Sequence, residues 1–488
     1  MTYLDKSILS HKKRKLLSLN SFKKHFSLLG EFMNLSRIKT IQEVTSTKTN
    51  RVIYWMQSAQ RIHYNHALNY AIELANEKNC PLMVVFNVIP SYKEANRRHY
   101  VFMLEGIKEI EHAFRALKIP FKLAFGDPSK NIMAILKQGD LIILDKAYLK
   151  HPRSWRNDLY KNIKDQYTMI EVDTELIVPV EVASQKMEYG AYTIRPKLHK
   201  QFDAFDDYET LPTYQGKYIE LKSDVDLNSI KDFVKTLPIY QDVLETPYFV
   251  GGYQEAKKRL KSFIEYKAKN YLDRNAPGEH VTSTLSPYLH FGQIASLEIV
   301  HEIKKAKEEN LIDQAIFDGI FEQVFVRREL AFNFVYYNHQ YDQFEHMTEP
   351  WAYLTMDHHQ DDYRPHLYTK DQLEKAQTHD PYFNAAMQEM IFSGYMHNYM
   401  RMYWAKKIIE WSNSYKEAYE ITLYLNNKYF LDGRDPNSYT SVAWNYGRHD
   451  RAWTERPILG KLRYMNDKGL ERKFDMSKYI KYVESIKK

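Results

Sequence analysis

The stretch RVIYWMQSAQRIHYNHALNYAIELANEKNCPLMVVFNV, residues 51–88, places two apolar runs, VIYWM at 52–56 and LMVVFNV at 82–88, on either side of a helical pattern from Asn65 to Glu77. Three more runs follow: FKLAF at 121–125, LIIL at 141–144 and MIEV at 169–172. Helical periodicity fills the gaps over Arg97 to Leu117 and Ser129 to Gln138, the latter opened by Asp127-Pro128-Ser129 as a cap. Short apolar strands separated by helices imply a parallel sheet covered on both faces. Residues 49–178 therefore read as a doubly wound α/β domain. The turn after the first run, QSAQRIHYNHAL, has no glycine, and GxGxxG is missing from the domain, which argues against a conventional dinucleotide loop.

Outward from this core the character of the chain changes on both sides. Residues 1–48 are acid-poor and carry Lys12-Lys13-Arg14-Lys15 and Lys23-Lys24, a basic tail by default. Residues 179–245, with Pro179, Pro196, Pro212 and Pro238 among short mixed segments, read as a connection draped over the surface. From 246 to 488 the strand pattern is gone and helical periodicity dominates: Gln254 to Tyr271, Ile294 to Asn310, Asp313 to Tyr337, Lys370 to Ala376, Asn384 to Trp411, Tyr415 to Lys428 and Met476 to Lys487. The expected architecture is α/β followed by all-α.

The single cysteine, Cys80, excludes a disulfide framework, a thiolate zinc site and a four-cysteine iron–sulfur cluster. No apolar run is long enough to span a membrane. A net charge of +7 favours a polyanionic partner without requiring one. The 39 Tyr, 24 Phe and 7 Trp suit the enclosure of a flat conjugated ligand or stacked bases, and only 16 Gly argue against glycine-rich phosphate loops.

Four stretches of the helical region carry candidate chemistry. In YLDRNAPGEHVTSTLSPYLHFGQI, 271–294, the hydroxyls of Thr282, Ser283, Thr284 and Ser286 precede a helix start, an arrangement suited to a pyrophosphate but also to a plain cap. In FEQVFVRRELAFNF, 321–334, Glu322, Arg327, Arg328 and Glu329 interrupt an apolar helix. IFSGYMHNYMRMYWAKKIIEW, 391–411, reads as one unbroken helix with Trp404 and Trp411 on nearly one face, roughly 10 Å apart along the axis. The fourth, 424–453, holds Asn426, Asp432-Gly433, Trp444 and Asp450-Arg451 in an otherwise irregular segment.

Together these strings resemble the photolyase and cryptochrome family, and within it the class II cyclobutane pyrimidine dimer photolyases. The resemblance rests on LSPYLHFGQ at 285–293, RRELAFNF at 327–334, YMRMYWAKKIIEW at 399–411, LDGRDP at 431–436 and GRHDRAWTERPILGKLRYMN at 447–466. It implies light-driven repair of dimers in UV-damaged DNA. Excited, fully reduced, anionic FAD passes an electron to a flipped-out lesion, and the electron returns after the ring opens. The alternative it leaves is a cryptochrome-like photoreceptor. It implies a cofactor site of Tyr271, Thr282, Ser283, Thr284, Leu285, Ser286, Asn398, Arg401, Asn426, Asp432 and Gly433, with Asn426 against flavin N5 and Arg401 paired to Asp432. Arg274, Tyr399, Met402, Trp444 and Arg451 would meet the lesion and DNA. An antenna, deazaflavin or folate, is implied for the α/β domain. No metal, no membrane and no obligate protein partner are expected. A monomer follows, placed in the cytoplasm of a prokaryote or in the nucleus for a eukaryotic or viral source.

Two departures stand out. Family members show two adjacent acids where this chain has Glu322 and Gln323; if the second is the functional one, a proton-donating acid has become an amide. Relatives photoreduce their flavin through three tryptophans, of which two align with Trp404 and Trp411, while the third aligns with Phe383. The adjoining Tyr382, a direct Trp404-to-Trp411 hop, or another route are the alternatives.

Overall fold

The central strand of the α/β region is VIYWM itself, buried on both faces from Val52 to Met56. A computed structural model describes residues 33–44, 48–208 and 210–487. Its six strands are β1 (Ile38–Gln42), β2 (Arg51–Met56), β3 (Leu82–Val88), β4 (Phe121–Phe125), β5 (Asp140–Asp145) and β6 (Thr168–Val172), in the order β1-β6-β5-β2-β3-β4. β2 to β6 pair in parallel, and β1 closes one edge antiparallel to β6. The chain winds one way from β2 through β3 and β4, then returns to the other side of β2 as β5, so the switch point lies at the carboxyl end of β2.

The glycine-free turn after β2 is held by one carboxylate. Asp145 Oδ2 accepts the backbone N–H groups of Gln57, Ser58 and Ala59 at 2.8, 2.9 and 3.1 Å, and Oδ1 accepts the Tyr54 hydroxyl at 2.7 Å. Amides that would cradle a phosphate in a dinucleotide fold are already occupied.

β1 lies inside the stretch that reads as a tail. Its sequence, IKTIQ, lacks an apolar run because an edge strand needs little burial, and its three middle residues, Lys39 to Ile41, are exposed. The Lys12–Lys15 and Lys23-Lys24 clusters lie outside the described residues. Residues 179–245 are not draped over the surface either. Tyr214, Val225, Leu227, Val234 and Leu237 enter the α/β core, while Ile194, Leu198 and Phe205 pack with Leu297, Val300 and Phe325 of the helical region. The prolines break this segment into short pieces, but its apolar side chains are still buried.

The helical region follows the periodicity with local changes. The pattern 254–271 becomes a helix over Tyr253–Ser262, a wider π turn and a 3₁₀ segment, Ala268–Asp273. The pattern 313–337 contains a π segment at Glu322–Arg327. Pro350–His358, Pro436–Trp444 and Asp467–Lys473 are further short helices, the first two entered through a proline in the first turn. Among the described residues no helix is long and apolar enough to cross a membrane.

Candidate functional site

The stretch 391–411 is two helices, not one. Pro381–Ser393 ends at Gly394, which takes φ +76°, and a Cβ there would approach Leu431 and the Arg98 side chain at 3.1 and 3.3 Å. His397 then caps Asn398–Trp411, its Nδ1 accepting the Tyr399 N–H at 3.3 Å. Burial drives the His397 pKa down to about 4, in keeping with a neutral acceptor. The break matters because Arg401 turns back into it: Nε donates to the Met396 carbonyl at 2.9 Å, and the two terminal nitrogens pair with Asp432 Oδ1 and Oδ2 at 3.0 Å each. The guanidinium lies 4.0 Å from the Phe430 ring centre and 5.2 Å from that of Tyr395. Burial opposes the charge on Arg401, and the bidentate Asp432 outweighs it, raising the pKa.

Asp432 is held in place by Gly433. A Cβ on Gly433 would meet the Asn426 and Phe430 carbonyl oxygens at 2.9 Å, so only glycine lets the chain fold back over the end of the helix Tyr415–Tyr429. That helix presents Asn426 and Asn427, both buried. Asn426 donates from Nδ2 to Asn427 Oδ1 at 3.0 Å. Asn427 Oδ1 also accepts the Arg434 N–H at 3.0 Å, and its Nδ2 donates to Glu94 at 2.6 Å. The neighbouring amide thus fixes the carboxamide of Asn426 nitrogen-inward. No hydrogen bond reaches Asn426 Oδ1 among the described residues. Asn427, Glu94 and Arg434 escape a reading of the sequence because they come from three separate elements.

Arg98 and His99 tie the α/β domain to the same place. Arg98 donates to the Tyr429 carbonyl at 3.0 Å and the Met390 carbonyl at 3.3 Å, and His99 Nε2 lies 2.9 Å from the Phe430 carbonyl oxygen. These satisfy the carbonyl ends of both helices that frame the Arg401–Asp432 pair.

The other half of Asn398–Trp411 is aromatic. Trp404 is buried, 6.3 Å from Phe430 between ring centres, and its indole N–H has no partner among the described residues. Trp411 packs against Phe383 at 5.2 Å, His379 at 5.1 Å and Tyr368 at 5.5 Å. Phe383 is fully buried and serves as packing beneath Trp411. Tyr382 points away, hydrogen-bonded to Glu471 at 2.8 Å, whereas Tyr403 donates its hydroxyl to Asp380.

The hydroxyl loop starts a helix of only five residues, Ser286–His290. Thr282 Oγ1 lies 3.4 Å from the Tyr395 hydroxyl, linking the loop to the Arg401 stack. Thr284 adopts φ +53° and accepts Arg259 at 3.2 Å, and Leu285 is buried in the core. Ser283 and Ser286 are half-buried with no side-chain hydrogen bond among the described residues. Tyr271 is buried with the Arg274 guanidinium 5.1 Å over its ring. Asn398 is exposed in the first turn of its helix.

Trp444 ends the helix Pro436–Trp444, in a segment that reads as irregular in the sequence. Arg463 lies between Trp444 (4.9 Å) and Trp453 (4.2 Å), held by Asp450 at 3.1 Å, and Arg451 lies 5.1 Å over Trp453. Arg463 and Trp453 join the expected set as a ladder of alternating cation and ring. Tyr399 accepts Lys473 at 3.1 Å and meets Phe474 edge-on; Met402 is half-buried beside it. Glu322 is separate from these residues. It pairs with Arg195 at 2.8 and 2.9 Å and with Arg327 at 2.9 Å, and although burial opposes ionisation, the two arginines hold its pKa below normal. Gln323 is exposed.

A cavity of about 210 Å³ opens at the sheet's switch point, lined by Gln57 and Ser58 after β2, Asn87 at the end of β3, and Phe332, Arg434 and Asp435 of the helical region. Arg434 is buried with a hydrogen bond to the Asn427 carbonyl and no carboxylate in ion-pair range among the described residues.

This pairing of a doubly wound sheet with a helical domain is the architecture of photolyases and cryptochromes. A Synechocystis cryptochrome matches with a TM-score of 0.70 at 14% identity, covering 91% of this chain and 89% of that one. A class III photolyase from Agrobacterium tumefaciens matches with 0.67 at 17% identity, covering 91% and 88%. The family model described as DNA photolyase matches residues 52–215. The deoxyribodipyrimidine photo-lyase of Methanothermobacter thermautotrophicus is 38% identical over 456 residues, 93% of this chain and 99% of the relative. That of Arabidopsis thaliana is 39% identical over 447 residues, 89% of each. The chain belongs to the DNA photolyase family.

Proposed function

We propose that the protein is a class II type DNA photolyase that binds FAD in its helical domain and splits cyclobutane pyrimidine dimers in UV-damaged DNA. The observation that carries this reading is the bidentate pair of a half-buried Arg401 with a buried Asp432 beside the buried Asn426, in a chain similar over nearly its whole length to deoxyribodipyrimidine photo-lyases. The donor set fits a flavin adenine dinucleotide. Arg401 and Asp432 offer donors and acceptors side by side, Asn426 keeps an unspent amide oxygen, and Ser283 and Ser286 keep unspent hydroxyls for phosphate oxygens. When bound in its reduced, anionic form, FAD supplies the light-absorbing centre and the electron that opens the dimer, with no net redox change.

The protein's part is position and charge. Asn427 and Arg434 keep the Asn426 oxygen free to accept, so Asn426 would be the residue to receive a hydrogen bond from a reduced flavin held there. Trp444 and the Arg463–Trp453–Arg451 ladder offer faces to a flipped-out lesion and charge to the phosphates beside it. Arg274, Tyr399 and Met402 complete the lesion wall. Glu322, held ionised by two arginines, orients the helix and does not donate a proton; Gln323 is the group left to donate a hydrogen bond to the dimer. Trp404 and Trp411 are the electron source for photoreduction. The switch-point cavity suits an antenna, deazaflavin or folate, and the unpaired Arg434 favours an anionic one.

The test is to illuminate reduced protein with blue light in the presence of an oligonucleotide bearing defined lesions. Cyclobutane dimers should disappear while 6-4 products persist. Dimers that survive illumination with flavin-loaded, reduced protein would overturn the reading.

A further inference from the structure

Away from this site, the end of the helix Pro350–His358 meets the tight turn Arg456–Gly460 and gathers two histidines and two carboxylates. His358, His359 and Glu455 each present one ligand atom, all within 4.8 Å of one another. His359 is fixed at both ring nitrogens: Nδ1 lies 2.7 Å from Asp362 Oδ2, and Nε2 lies 2.9 Å from Glu455 Oε1. Asp362 is itself anchored, since Oδ2 accepts the Ile458 N–H at 2.7 Å. The turn closes on the ring because Gly460 adopts φ +53°; a Cβ there would lie 2.7 Å from His359 Cδ2.

A metal-bound imidazole ordinarily donates its remote N–H to a carboxylate, which fixes the tautomer and raises the basicity of the ligating nitrogen. Asp362 occupies that place behind His359, leaving Nε2 as the ligand atom with Glu455 facing it. Two imidazoles and one carboxylate make a borderline N/N/O set, suited to Zn²⁺ with water as fourth ligand and poorly suited to Ca²⁺ or Mg²⁺. A simple ion pair accounts for Glu455 and Asp362 around a protonated His359, but it gives no role to His358. The competing cation, Lys461, is 3.9 Å from Glu455 on an exposed side chain.

We propose that His358, His359 and Glu455 form a binding site for a divalent transition-metal cation of the Zn²⁺ type, with Asp362 as the positioning carboxylate. The cation takes the place of the proton between His359 Nε2 and Glu455, and that proton passes to solvent. Its structural effect is on the segment it closes: the Trp453 backbone N–H donates to the Lys461 carbonyl at 2.9 Å, so a clamp at Glu455 and His359 steadies the segment carrying Arg451, Trp453 and Arg463.

The experiment is calorimetric titration of untagged, chelator-treated, full-length protein with ZnCl₂. One Zn²⁺ per chain is expected. His358→Ala and Glu455→Gln should each weaken binding at least about tenfold, and Asp362→Asn about tenfold or more, the usual effect of losing a supporting carboxylate. His358 and Glu455 are exposed, so these variants test the site without threatening the core. As a second readout, Co²⁺ should give the intense visible absorption of a four-coordinate ion in the parent and lose it in the double variant. Absence of saturable Zn²⁺ binding, or binding and Co²⁺ spectra unchanged in His358→Ala/Glu455→Gln, would overturn the proposal.

Discussion

In the first turns of the helix Asn398–Trp411 the polar groups turned inward are matched: Arg401 has Asp432 and the Met396 carbonyl, and His397 caps the helix. In the later turns the matching thins: Lys407 still pairs with Glu410 at 2.7 Å, but other buried groups are left with less. The Trp404 N–H is buried without a partner among the described residues, Lys406 is fully buried with only the Asn445 carbonyl to receive it, and Trp411 rests on Phe383, His379 and Tyr368 by ring contact. One half is specified by paired charge, which fails when either partner goes. The other is specified by shape, which tolerates exchange between aromatic rings. That difference explains how a phenylalanine can stand at 383 without disturbing the fold, even though it cannot relay an electron hole as tryptophan does.

The contrast is broken most severely by Arg401→Met. It strands Asp432 as a buried, unpaired carboxylate, a change expected to cost about 3–5 kcal/mol. Thermal unfolding should show that loss, and the purified variant should lack flavin absorbance. Arg401→Met with Asp432→Leu should recover most of the stability and none of the flavin. If the double variant kept flavin, the pair would be structural only.

Lys406 tests the second half by the opposite sign. Burial lowers its pKa to about 7, so in the window from about 7 up to its unfolded value the unfolded chain binds more protons than the folded one. Stability therefore rises with pH through that window, and the full burden of charging Lys406 is present below it. A tenfold change in proton affinity is worth about 1.4 kcal/mol, and the hydrogen bond to Asn445 offsets part of the burden. Lys406→Met should stabilise the protein by about 2 kcal/mol near neutrality and abolish the rise. Urea unfolding at neutral and alkaline pH distinguishes this from a lysine that merely packs, which would leave the slope unchanged.

A smaller and more local break is Gly433→Ala. The added methyl meets two carbonyl oxygens at 2.9 Å, an overpacking worth about 1–3 kcal/mol. It moves Asp432 off Arg401, so flavin affinity should fall more than thermal stability does. Equal changes in both would assign Gly433 to the fold alone.

Much of this is readable in the chain. β2 to β6 stand out because a sheet covered on both faces demands apolar runs, and VIYWM and LMVVFNV satisfy that demand residue by residue. Arg401, Asp432 and Asn426 are legible through the strings that surround them. What escapes reading depends on contacts between distant segments. β1 is polar because it is an edge, and the break at Gly394 is set by Leu431 and Arg98 crowding it. The orientation of Asn426 is decided by Asn427, Glu94 and Arg434. Glu322 stands where the resemblance has the first of two adjacent acids, and its partner Arg195 comes from the segment that reads as a linker, a contact no local pattern reveals.

The gentlest prediction concerns Trp411. Exchanging it for phenylalanine keeps ring packing against Phe383 and His379 and should cost only about 1 kcal/mol. Repair assayed with chemically reduced flavin should be unchanged, because it needs no electron from the helix. Photoreduction should slow sharply if Trp404 hands its oxidation directly to Trp411. If photoreduction survives, the exit lies elsewhere, and Tyr403 becomes the strongest candidate: it adjoins Trp404 in the chain, and its hydroxyl already donates to a carboxylate, Asp380, placed to take the phenolic proton. Tyr403→Phe would then be the variant that stops the electron supply. Phe383→Trp supplies the converse. It restores a ring that can be oxidised against Trp411, and it should accelerate photoreduction in the parent but not in Trp411→Phe, since a middle step has no effect when the exit beyond it is missing.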